Sequence, residues 1–126
     1  PGDWPSKDYS KEAHYEAFSA FLEFLGANLS GQTNIRVDSH WASQTEVLQG
    51  FAAFALPDHV LREEELSRAL PNLAKSLGSS KPPKLTPIPI PAPFSLADIY
   101  DDALEASASQ VYQRAYRLFG FEPWKA

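Results

Sequence analysis

A chain of 126 residues with 44% hydrophobic and 13% aromatic side chains can bury one modest core, which excludes a disordered tail. A formal charge of −5 without a cluster of Lys and Arg argues against a nucleic-acid partner, since neutralising phosphates takes grouped cations. Zero cysteines exclude disulfides, thiolate catalysis and cysteine zinc sites, and lean toward a cytoplasmic protein. His14, His40 and His59 show no metal-ligand spacing. No apolar run approaches the roughly 18 residues of a membrane span. The chain opens on Pro1 and contains no Met, which reads as a fragment or a processed chain.

Residues 1–9 are punctuated by Pro and Gly and read as a lead-in. A helix is expected from Ser10, which can cap it. Phe18, Phe21, Leu22 and Leu25 follow at i, i+3, i+4 and i+7 and form one apolar stripe. Gly26 and the stretch from Asn28 to Asn34, with Gly31 inside it, should end it. A short helix is expected over 43–48, and His59, Val60 and Leu61 read as a short buried strand. From Glu63 the chain should be helical, with acidic residues suiting a helix N-terminus and Glu64 turned inward as a structural tie. Leu66, Leu70, Leu73 and Leu77 share one face, which predicts core; Pro71 should kink or split that helix, and Gly78 should stop it.

Residues 79–94 hold six prolines between 82 and 93, with Lys81 and Lys84 at the head. Such a run cannot join a central strand and predicts an extended crossing loop, pinned by Leu85, Ile88, Ile90 and Phe94. A final helix is expected over 101–118 after a Ser95/Asp98 cap, with Leu104, Val111, Ala115, Leu118 and Phe119 inward and Gly120 at its end. The chain thus divides into a lead-in (1–9), a helical region with a His-Trp loop and short strand (10–78), a Pro-rich loop (79–94) and a C-terminal helix (95–126). Together these make one domain or part of one.

Three stretches carry the chemistry: His40-Trp41-Ala42-Ser43-Gln44, then Asp58 through Glu64 to Leu66, then Tyr112, Tyr116, Phe119, Gly120 and Phe121. In this order, after a Phe-rich helix, they resemble the C-terminal half of the carbohydrate or chondroitin type of sulfotransferase and its bacterial relatives. Ala115 departs from the pattern, where the family has an Asp that would tether the last helix. The resemblance implies a mainly α chain with at most one or two short strands, forming the C-terminal portion of an α/β P-loop-like sulfotransferase fold. It also implies sulfuryl transfer from 3′-phosphoadenosine 5′-phosphosulfate to a hydroxyl acceptor such as a carbohydrate, without a metal.

Nothing in the sequence matches the family's phosphosulfate loop, whose backbone amides hold the donor. The resemblance therefore implies that this chain is inactive alone and works with an N-terminal half. One apolar face, either that of Phe18, Phe21 and Leu25 or that of Val111 and Leu118, would then be bare and would drive homo-oligomerisation or pairing with that half. His40, Trp41 and Gln44 are the candidate acceptor contacts, and Lys81 and Lys84 the candidate contacts to the donor's 3′-phosphate. The plainer alternatives are a core role for Trp41, a loop hydrogen bond for His40 and surface charge for the lysines. Two other readings stand beside the enzyme: a non-catalytic helical interaction module on a sulfotransferase-derived scaffold, and an adaptor presenting its Pro-Ile-Pro-Ile-Pro run.

Overall fold

A computed structural model describes residues 5–89 and 91–125, and among these the chain is mainly helical with no strand. The expectation for Ile90 lies outside them. No helix among the described residues is long and apolar enough to cross a membrane.

Helix α1 (Lys11–Leu29) begins where the sequence expects, with the Ser10 hydroxyl accepting from the Ala13 amide at 3.1 Å. It does not stop at Gly26, which stays inside the helix with Val111 packed nearby; the chain turns off at Gly31 (φ 75°). Leu22 and Leu25 of the stripe are buried, whereas Phe21 is 41% exposed. Helix α2 (Gln44–Ala52) runs four residues beyond the expected end.

The expected strand at His59, Val60 and Leu61 is not formed. The segment is extended but pairs with no other strand, and Val60 is 57% exposed. A single 3-10 turn (Glu63–Glu65) then leads into α3 (Leu66–Ser76). Glu64 is exposed, not inward. Pro71 sits inside α3 without splitting it, at the cost of one missing amide donor. The leucine face of α3 is not core: none of its residues is buried, Leu77 is 79% exposed, and α3 packs on no other helix. Gly78 stops it at φ 83°.

The Pro-rich segment is extended, but Leu85 (52%) and Ile88 (85%) leave most of their surface in water. Phe94 does anchor it, with its ring 5.6 Å from His14 and 6.4 Å from Tyr9. Three short helices replace the expected final one. Helix α4 (Leu96–Ile99) opens with a capping box in which the Ser95 amide and hydroxyl both donate to the Asp98 carboxylate. Helices α5 (Asp102–Val111) and α6 (Gln113–Phe119) follow, broken at Tyr112 (φ −104°, ψ 30°). The break turns Leu118 outward to 62% exposure, while Leu104 and Ala115 stay buried.

Helix α1 packs on α4 and α5, and α2 packs on α6. The core is small: Leu22, Leu25 and Leu104, with Phe18, Phe24, Trp41, Tyr100, Val111 and Tyr112 against it. Tyr15 ties α1 to the start of α5 by donating to Asp101, whose carboxylate also caps the Leu104 amide at 2.9 Å.

Candidate functional site

The His-Trp loop is fastened from beneath. Trp41 Nε1 has only a hydrogen to offer, and it donates to Asn28 Oδ1 at 2.9 Å. Asn28 is 2% exposed, and its amide nitrogen donates to the Ile35 carbonyl (2.7 Å) and the Thr33 hydroxyl (2.9 Å). The Trp41 carbonyl accepts from the Tyr112 hydroxyl at 2.8 Å, a link across 71 positions. Its ring meets Phe21 and Phe24 edge-on at 6.0 and 6.1 Å. Trp41 is thus an anchor of the core. His40 points away from it, with a side chain 88% exposed and Nδ1 2.5 Å from Asp38 Oδ1. The His40 amide and ring together hold the Asp38 carboxyl below its ordinary range.

Beyond this anchor lies an open cleft of about 970 Å³. The His-Trp loop and the start of α2 contribute Ala42 and Gln44. The extended segment and the turn after it contribute His59, Arg62, Glu63 and Glu64. The chain's closing stretch contributes Leu118, Phe119 and Phe121. All three sequence stretches named above meet here. Trp41 and His40 are not in its lining.

Arg62 holds the cleft's two sides together. Its guanidinium donates to the carbonyl of Phe119, the last residue of α6, where an unpaired carbonyl and the helix dipole both favour a cation. The same group lies 5.6 Å from the centre of the Phe121 ring, and its other nitrogen is 3.6 Å from Glu64. Gly120, at φ 61°, supplies the left-handed turn that brings Phe121 back against Arg62.

A carboxylate tethers the last helix after all, from α5 in place of position 115. Glu105 accepts from the Tyr100 hydroxyl at 2.6 Å and from the Tyr116 hydroxyl at 3.0 Å. Burial, then this carboxylate, raises both phenols, that of Tyr116 to about 12. Ala115 itself is 5% exposed.

The lysines lie elsewhere. Lys84 lines a smaller groove with Pro71 and Leu85, adjoining the cleft through Leu66, and Lys81 is exposed. A further cavity of about 700 Å³ lies between α1 and α5; Ser43 and Tyr112 reach it, but the 59–66 segment does not. Among the described residues no group of three His, Cys, Asp or Glu could hold a metal ion.

Sequence reasoning passed over Arg62 and Asn28. Asn28 carried a usable signal, because it falls three residues after Leu25 on the apolar stripe, and a polar residue there must find buried partners. Arg62 carried none beyond its place in a quoted stretch, since the carbonyl it binds lies 57 positions away.

Comparison with protein-family models, with curated proteins and with solved structures finds no match for this chain.

Proposed function

We propose that this chain is the acceptor side of a sulfotransferase and acts with a donor-binding half. In the reaction the acceptor's hydroxyl oxygen attacks the sulfur of 3′-phosphoadenosine 5′-phosphosulfate. The bond from sulfur to the phosphate oxygen breaks, and the hydroxyl proton passes to a base. The products are a sulfate ester and 3′-phosphoadenosine 5′-phosphate.

The observation that carries this reading is the meeting of the three resembling stretches around one cleft through Gln44, Arg62 and Phe121. On this account Gln44 contacts the acceptor, while Trp41 and His40 shape and hold the loop that presents it. Lys84, from the neighbouring groove, and the exposed Lys81 reach the donor's 3′-phosphate. The donor-binding half covers apolar side chains now in water, such as Phe51 (68% exposed), Phe54 (92%) and Leu56 (81%).

Those same side chains favour a second reading, a helical interaction module without chemistry. Calorimetry with 3′-phosphoadenosine 5′-phosphate separates the two. The chain joined to its donor-binding half should bind the nucleotide, and failure to bind would leave only the interaction module.

A further inference from the structure

Resting on the sulfotransferase reading, we infer that the cleft's acceptor is an uncharged amphipathic alcohol: a hydroxyl-bearing head on an apolar body, not an already anionic glycan. The apolar part of the argument comes from side chains that line the cleft yet stand in water. Val47 is 46% exposed, Val60 57%, Leu118 62% and Phe121 36%. A flat or extended hydrocarbon body laid along them would remove this surface from water, which a fully hydrated polyanion cannot do.

The charges decide the head group. Two carboxylates, Glu63 and Glu64, line the cleft, and among the described residues Arg62 is the one guanidinium or ammonium that does. Arg62 is already committed to the Phe119 carbonyl, the Phe121 ring and Glu64. An entering carboxylate or sulfate would therefore meet like charge with no free cation to offset it. A neutral hydroxyl suits the same groups, since it can donate to a carboxylate and accept from the Gln44 amide.

The test compares two probes that differ by one charge, octyl β-D-glucoside and octyl β-D-glucuronide, each below its micelle concentration. Binding to the 126-residue protein is followed by amide NMR shifts. The glucoside should shift Gln44, Val60, Arg62 and Phe121 and bind at least about tenfold more tightly than the glucuronide, as like-charge repulsion in a partly dry cleft requires. The exposed double variant Glu63→Gln/Glu64→Gln should close most of that gap, and Glu63→Gln alone part of it. Equal or tighter glucuronide binding, shifts outside the cleft, a gap that survives both variants, or no binding of either probe would overturn the inference. Sulfuryl transfer to a glucuronide with the donor-binding half present would also overturn it while leaving the sulfotransferase reading intact. Loss of nucleotide binding would sink that reading instead.

Discussion

Trp41 and Asn28 face each other across the turn that follows α1, and their 2.9 Å hydrogen bond fixes the loop from which the cleft's Gln44 wall departs. Asn28 is nearly sealed from water and uses both ends of its amide, accepting from Trp41 and donating to Thr33 and Ile35. Such a group sets one loop conformation because every alternative strands a buried polar atom.

Asn28→Ala should therefore cost about 1.5–4.5 kcal/mol, since it removes three hydrogen bonds, to Trp41, Thr33 and Ile35, each worth about 0.5–1.5 kcal/mol net. Urea unfolding measures this. An unchanged midpoint would show that the loop does not depend on Asn28.

The tyrosines around Glu105 make stability fall at high pH. A phenol raised in the folded state is held neutral there, so its contribution is complete below the ordinary value of about 10 and drains away as pH climbs through the folded value. For Tyr116 that window runs up to about 12, and Tyr100 is raised by the same burial and the same carboxylate. Melting temperature should drop steeply between about pH 10 and 12. Tyr100→Phe/Tyr116→Phe should soften the drop, and a wild-type curve flat over that range would contradict the burial of these phenols.

Arg62 ties the extended segment to the end of α6, so its loss should loosen the closing stretch before it affects the core. Arg62→Met should lower the local opening energy at the Tyr116 and Phe121 amides by about 1–2 kcal/mol, short of the full ~2–4 kcal/mol of one charge-assisted bond and one cation–ring contact because the Arg62 side chain is 43% exposed. Amides of α1 should be unaffected. Native-state hydrogen exchange reads both, and equal loosening of α1 would mean that Arg62 supports the whole fold.

Much of the local structure was legible. Ser10 and the Ser95/Asp98 pair announce helix starts because a cap is made within three residues of sequence. Gly78 and Gly120 announce stops because a left-handed residue is cheapest as glycine. Three of the failures depended on distant partners. Val60 has the composition of a strand but no second strand to pair with. The leucines of α3 have helical periodicity but no helix against them. The break at Tyr112 accompanies a hydroxyl bonded to Trp41, which no local pattern announces. The cleft was half legible: the three stretches were visible, while the Arg62 bridge that joins two of them was not.

If Lys81 and Lys84 reach the donor, their joint loss is felt in nucleotide binding and nowhere else. With the donor-binding half present, Lys81→Ala/Lys84→Ala should weaken 3′-phosphoadenosine 5′-phosphate at least about tenfold, since one charge-assisted contact is worth about 1.5–3 kcal/mol. The loss should shrink at high salt, where exposed charges are screened. Calorimetry decides it, and unchanged affinity at low salt would make the lysines plain surface charge.

A transfer assay with a sulfur-labelled donor and octyl glucoside asks whether this cleft serves sulfuryl transfer. The 126-residue chain alone should transfer nothing, because the preorganised amides that stabilise the moving group are usually the largest catalytic contribution and, on the proposed reading, belong to the other half. Joined to that half it should form the labelled sulfate ester, and Gln44→Ala should slow the reaction by about tenfold or more, the cost of one lost neutral contact of about 1.4 kcal/mol. Label in the ester from the chain alone, or a joined protein in which Gln44→Ala changes nothing, would contradict the account.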